Sequence, residues 1–249
     1  MKINLPGVFT DAWGLFSRHR EVVLTVAAQF IFLPTLALLL LVPIAPPWPE
    51  SGATEPEIQA AANLLAAWIV DNGFMFMAAG LLSLYGSLSI TAFLIDPDSD
   101  DLRGALGRAL GLMPRYVLAA LLILLPASLG LFVLIVPGLY IMGRTMLIGP
   151  LLIVDRPITA TAAIMRSIKL TRGNGLMLAG LTGIDLIAGQ FLPGPFQQLD
   201  VAMRAARAAN PITITIVDSA AAALAAAVAL ATILVRIAVY RQLAAQVRQ

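Results

Sequence analysis

The sequence predicts an all-α, polytopic membrane bundle with six transmembrane helices, and three observations carry that expectation. First, 59% of the residues are hydrophobic and only 12% are charged, where a soluble domain carries about 25% charged residues. Second, the apolar runs exceed what a buried core helix needs; about 20 such residues cross a hydrocarbon layer roughly 30 Å thick. Third, the basic residues fall in short segments between those runs, which is how membrane topology is encoded, and they form no patch on a soluble face. With a mean hydropathy of +0.89 over 249 residues, soluble enzymes, nucleic-acid binders and disordered tails are excluded. Cysteine is absent, so the chain has no disulfide framework, no thiolate nucleophile and no cysteine metal site.

The whole chain, 1–249, reads as a single transmembrane domain with spans at about 22–42, 72–95, 116–136, 138–154, 175–192 and 212–235. The run 116–154 is too long for one crossing, and the Pro137-Gly138 pair predicts a tight turn that divides it. Pro193-Gly194-Pro195 closes the fifth span and Asn210-Pro211 opens the sixth. The first span is expected to be retained. Its apolar run starts only after Glu21, and the small-residue exit at Ala45 is followed by Pro46-Pro47.

Six crossings place 13 of the 16 basic residues on one side. These run from Lys2, Arg18 and Arg20 through Arg103 and Arg156 to Arg236, Arg241 and Arg248, so both termini are expected in the cytoplasm. Arg204 and Arg207 fall on the other side, and Arg144 lies within a span. The loop 43–57, with Glu50, Glu55, Glu57 and Trp48 and no basic residue, then faces outward.

Three segments beside the spans read as short interfacial amphipathic helices. In 102–113, Leu102, Ala105, Leu106, Ala109, Leu110 and Met113 recur at three- and four-residue intervals, with Arg103 and Arg108 off that face. In 8–17, Val8, Ala12, Leu15 and Phe16 share a side and Trp13 suits headgroup depth. In 157–172, Pro157 suits a first helical turn and Gly173 the residue after the end. Arg103, Arg108, Arg115, Arg166, Lys169 and Arg172 are the expected contacts to anionic lipid headgroups. The order Ala12-Trp-Gly-Leu-Phe-Ser-Arg18 returns in Ala109-Leu-Gly-Leu-Met-Pro-Arg115 and more weakly in Ser167–Arg172, consistent with a threefold repeat of helix plus hairpin.

Ionisable residues inside spans are costly and mark where function is sought. Counted at about 1.5 Å per residue from Asp155 and Gly175, Arg144 and Asp185 both lie roughly 15 Å from the cytoplasmic edge, which permits an ion pair. Such a pair reads either as a structural clasp or as part of a proton or anion pathway; Arg144 could also reach water unpaired. Asp218 belongs near the outer interface. The acidic run Asp96, Asp98, Asp100, Asp101 lacks the glycine and glutamate of a calcium loop and suits the N-terminus of the helix at Leu102. Gly180-Leu-Thr-Gly183 and the small residues 220–227 suit close helix packing.

Enzyme signatures are missing: there is no Gly-x-Ser-x-Gly elbow, no phosphate loop and no His-Glu-x-x-His. The lone histidine, His19, lies between Arg18 and Arg20, where a solvated interfacial position is expected. No catalytic residue, cofactor or metal is expected.

The segment from Val136-Pro137-Gly138 through Arg144, Pro150 and Asp155 to Arg166-Ser167-Ile-Lys-Leu170-Thr-Arg-Gly173 resembles a known pattern. It is similar to the membrane-domain family named after glycerophosphoryl diester phosphodiesterases and to the related YciC-like bacterial inner-membrane proteins. Those share a Pro-Gly turn, an arginine in the next span, an acidic residue at its end (Asp155 here, where glutamate is commoner) and an Arg-Ser-x-x-Leu-x-x-Gly helix. The resemblance covers roughly 40 residues and implies a multi-span inner-membrane protein without phosphodiesterase activity, which in fused members resides in a separate soluble barrel rich in histidine. The expected function is a non-enzymatic, lipid-contacting scaffold or accessory subunit of a membrane complex. The alternative is a transporter component with a midplane site around Arg144 and Asp185. Membrane lipids are the expected partners and nucleic acid is not; a protein partner or homo-oligomer is not legible.

Overall fold

The computed structural model describes residues 2–49, 51–96, 101–206 and 210–247. Glu50, Asp98, Asp100, Arg207 and Arg248, which entered the sequence reading, lie outside the described residues. The described residues form ten α-helices and one π-helical turn, with no strand. Six helical stretches are long and apolar enough to cross a membrane: Leu5–Leu41, Glu55–Ile95, Leu102–Val133, Ile135–Val154, Gly175–Ala205 and Pro211–Gln246. The protein is an integral, multi-pass membrane protein.

Helix α1 (Leu5–Ala27) joins the expected interfacial segment to the first span without a break in hydrogen bonding. Its corner is a kink at His19 (φ −124°, ψ 20°), with the imidazole edge-on to Phe93 at 5.6 Å. The buried stripe Val8, Ala12 and Leu15 packs in one cluster with Ile237, Ala238 and Leu243 of the last helix, while Phe9 and Trp13 face outward. This half of α1 is therefore seated on protein. The π turn Ala28–Phe32 directly precedes α2 (Leu33–Leu41) and its Pro34. Proline has no N–H to donate and its ring crowds the preceding turn, so the helix widens there.

Helix α3 runs from Glu55 to Ile95, 41 residues, beginning well before the predicted 72–95. Thr54 and Glu57 form a capping box, with the Thr54 N–H donating to Glu57 Oε2 at 2.7 Å. Gln59, Asn63 and Asp71 hid this turn-rich start from a hydropathy reading, although its alanines favour helix. Helix α4 (Leu102–Val133) likewise absorbs the interfacial segment 102–113 into one 32-residue rod. Asp101 caps it, accepting from the Gly104 N–H at 2.7 Å as the acidic run suggested. Ala105, Ala109 and Leu112 are buried against Leu88, Ala92 and Ile153.

The chain reverses at Leu134 (φ −153°, ψ 131°), not at the Pro-Gly pair. Pro137 instead lies in the first turn of α5 (Ile135–Thr145), where its missing N–H has no helical partner to lose. Gly138 faces α4: a Cβ there would come within 2.5 Å of Leu131. After a break at Met146-Leu147, α6 (Ile148–Val154) is buried from Ile148 to Ile153. Helix α7 (Ala160–Leu170) starts at the Thr159 cap, so Pro157 lies ahead of the helix and not in its first turn. Gly173, at φ +86°, makes the left-handed exit expected after its end. Helices α8 (Gly175–Phe191) and α9 (Gly194–Ala205) meet at Pro193, and α10 (Pro211–Val247) closes the bundle. The three proposed repeat units thus join their spans differently: by a kink at His19, by an unbroken helix, and by a separate helix α7.

Residues near the start are stitched to the far end of α10. The Asn4 N–H donates to Gln242 Oε1 at 3.2 Å, Gln246 Nε2 donates to the Lys2 carbonyl at 3.0 Å, and the Ile3 N–H donates to Asn174 Oδ1 at 3.2 Å.

Helices α5 and α8 touch backbone to backbone at Gly143, where a Cβ would lie 2.7 Å from Ala179 N and the Leu178 carbonyl carbon. Gly180, by contrast, has nothing within 4 Å, so the expected Gly180–Gly183 packing motif is not the close contact. Replacing Gly143 with leucine is expected to lower stability by about 1–3 kcal/mol through overpacking. Gly180→Leu should leave the thermal midpoint in detergent nearly unchanged; equal midpoints for the two variants would contradict the packing described.

Candidate functional site

Besides the Asp155–Arg166 pair, buried or half-buried charge gathers at four places among the described residues, and three of them are closed by their own partners. The first is Arg144. Its Nε donates to Thr171 Oγ1 at 2.9 Å, Nη1 to the Tyr140 hydroxyl at 2.8 Å, and Nη2 to the Ile168 carbonyl. Ser167 Oγ donates back to the Arg144 carbonyl at 2.8 Å. The guanidinium thus occupies carbonyl and hydroxyl acceptors at the C-terminus of α7, where the helix dipole also favours a cation. Tyr140 reaches this position because residue 175 is glycine; a Cβ there would lie 2.4 Å from the ring.

The expected Arg144–Asp185 pair does not form. Gly143 turns toward α8, and the next residue is rotated by about 100° around the helix, which aims Arg144 at α7 instead. The expected equal depth fails as well: Gly143 lies beside Leu178 and Ala179, and Gly183 beside Leu139, so Arg144 stands about 10 Å along α8 from the level of Asp185.

The second place is Asp96, at the end of α3. Its carboxylate is fully buried and pairs with Arg156 at 2.8 Å and Arg108 at 3.2 Å, tying α3 to α4 and to the α6–α7 connection. The third is Arg204, whose Nε meets Asp200 at 2.6 Å and whose Nη2 meets Asp218 at 3.0 Å and the Leu39 carbonyl at 3.1 Å. It joins α2, α9 and α10, and gives the buried Asp218 the partner that its position near a span end required.

Of the residues expected to touch headgroups, Arg108 is therefore committed to Asp96, and Arg166 pairs with Asp155 at 2.5 Å while staying 61% exposed. Arg103, Arg115, Lys169 and Arg172 are exposed and make no hydrogen bond or ion pair among the described residues.

The fourth place is open. Asp185 on α8 meets Arg236 on α10 at 3.9 Å, too far for a hydrogen bond, with both side chains about one-third exposed. Thr232, one turn before Arg236, sets its hydroxyl against Asp185 Oδ1 and the Val228 carbonyl. Arg236 has no hydrogen-bond acceptor among the described residues. Three cavities border it. One of about 180 Å³ lies between α1, α8 and α10; one of about 540 Å³ adds Ser83, Ser87 and Tyr116; one of about 360 Å³ reaches Met142 and Thr182.

Sequence reasoning placed Arg236 at the cytoplasmic flank and missed Thr232. The signal was present: Thr232 and Arg236 are four residues apart on one helical face, and the apolar pattern continues past Arg236 through Ile237, Val239 and Leu243. The helix therefore continues beyond Arg236, as part of a 37-residue rod longer than the roughly 30 Å that a bilayer core requires.

No protein-family model matches the chain, and comparison with curated proteins and with solved structures finds no match.

Removing one partner of a buried pair costs about 3–5 kcal/mol, and partial exposure of the two arginines trims this at Asp96. Asp96→Asn is expected to lower unfolding stability by about 2–3 kcal/mol, whereas Asp185→Asn, at the open site, should cost about 1 kcal/mol or less. Thermal unfolding of both variants in the same detergent checks the order; a larger loss at Asp185 would reverse the assignment of closed and open sites.

Proposed function

We propose that the protein is a non-enzymatic, lipid-contacting protein of the bacterial cytoplasmic membrane, a scaffold or accessory subunit whose ligand-receiving part is the Asp185–Thr232–Arg236 site. The observation that carries this reading is Arg236: a guanidinium inside a membrane-spanning helix, without a hydrogen-bond acceptor, bordering three cavities with largely apolar walls. An ionisable group in such a place, facing a cavity and not closed by carbonyls, marks a candidate site of function. The unpaired cations Arg103, Arg115, Lys169 and Arg172 support contact with anionic headgroups, at about 1 kcal/mol for each basic residue near the surface. The Pro137-Gly138, Arg144, Asp155 and Arg166–Gly173 pattern supports kinship with the phosphodiesterase-associated and YciC-like membrane proteins. The bias of basic residues supports cytoplasmic termini.

A transporter role is the second reading. It is favoured by the meeting of three cavities at Arg236, two of which also reach Asp185, and it moves the midplane site away from Arg144, which is closed, to Asp185 and Arg236.

Native mass spectrometry of gently extracted protein is expected to show retained phospholipid, and proteoliposomes to show no solute flux above that of empty vesicles. Flux that is abolished by Arg236→Gln in a still-folded protein would establish the transporter reading instead. Arg144→Gln is expected to lower folded yield and leave the lipid profile of the surviving protein unchanged.

A further inference from the structure

The cavity of about 180 Å³ that holds Asp185 and Arg236 adjoins a second one of about 370 Å³, and the two share Phe9, Ala231 and Val235 as walls. The second is lined entirely by apolar residues, including Trp13, Leu24 and Leu234. Phe9, Trp13 and Leu24 are 51%, 69% and 49% exposed, so this groove between α1 and α10 lies open on the outer surface of the bundle, where lipid chains stand. A polar end with one cation and one anion thus leads into an apolar slot accessible from the bilayer.

The charges at the polar end also select among headgroups. A lone arginine would favour a net anion, but Asp185 stands 3.9 Å from Arg236 and would repel one. Because the two are not hydrogen-bonded to each other, the guanidinium keeps its donors and the carboxylate keeps an acceptor oxygen beyond the one facing Thr232. Two opposite charges with free valences match a headgroup that carries both a phosphate and an amine.

Resting on the lipid-contacting reading above, we infer that this site binds a zwitterionic aminophospholipid. Its phosphate takes hydrogen bonds from Arg236, its ammonium donates to Asp185, and one acyl chain lies in the groove walled by Phe9, Trp13 and Ala231. Guanidinium and phosphate form bidentate, charge-assisted hydrogen bonds. The ammonium meets the one carboxylate in the cavity, so both costly charges are completed by a single ligand.

The test is native mass spectrometry of the full chain released from nanodiscs containing equal parts of phosphatidylethanolamine, phosphatidylcholine and phosphatidylglycerol. The wild type is expected to retain phosphatidylethanolamine in preference to the other two. Arg236→Gln should lower its retention by about tenfold, the loss expected for charge-assisted hydrogen bonds. Asp185→Asn should turn the preference toward phosphatidylglycerol. Ala227→Phe, on a wall of the apolar groove alone, fills that groove and leaves the charged cavity as it is, and should weaken retention of the lipid. Soluble glycerophosphoethanolamine, which has the headgroup alone, should not compete, which separates a lipid from a free phosphate. Retention of phosphatidylglycerol first, or retention unchanged by Arg236→Gln and by Ala227→Phe, would overturn the inference while leaving the lipid-contacting function standing. Retention of no phospholipid by the wild type would remove both.

Discussion

A charged or hydrogen-bonding group within hydrocarbon has no water to turn to, and every polar atom that the fold carries inward must be completed by another part of the fold. The bundle meets this constraint with charge nodes that are also its cross-links. Asp96 collects two arginines from two different segments, Arg204 collects two aspartates and a carbonyl from three helices, and Arg144 fastens α5 to the end of α7. Apolar packing alone gives little specificity between helices when lipid tails are as apolar as leucine. Polar nodes supply it, because a wrong pairing of helices would leave an ion uncompleted.

Seen in this light, Asp185 and Arg236 stand apart. At three of the four nodes the arginines have contacts of 3.2 Å or less, while at this one Arg236 has a single contact at 3.9 Å and adjoining empty space. Close packing at Gly143 and at Gly138 shows that the chain brings helices together tightly where it must. The opening beside Arg236 is therefore local, bordered by α1 in one cavity and by α3 and α4 in the other two.

Much of the architecture was legible in the amino-acid order. Apolar run length predicted six crossings, because the bilayer sets a minimum length that no soluble helix needs. Asp101 as a cap and Gly173 as a left-handed exit followed from local chemistry. What failed required knowledge of rotation or of neighbours. The reversal at Leu134 carries no turn residue and was overshadowed by Pro137-Gly138, whose proline serves equally well inside a first helical turn. The outer half of α3 is helical through alanine content and capping, neither of which registers as hydropathy. Arg144 and Asp185 agree in depth only when each span is counted from its own end; the register of α5 on α8, set where Gly143 presses against Leu178 and Ala179, separates them by about 10 Å.

The pairing of Asn4 with Gln242, across 238 positions of sequence, has a consequence for biogenesis. Helix α1 leaves the ribosome long before the stretch of α10 that covers Val8, Ala12 and Leu15 exists. During synthesis that stripe has only headgroups and acyl chains to rest on, which its amphipathic pattern and Trp13 make tolerable. The leading helix must wait, lipid-bathed, until the trailing one arrives to displace its temporary solvent, so the final locking of this bundle is post-insertional.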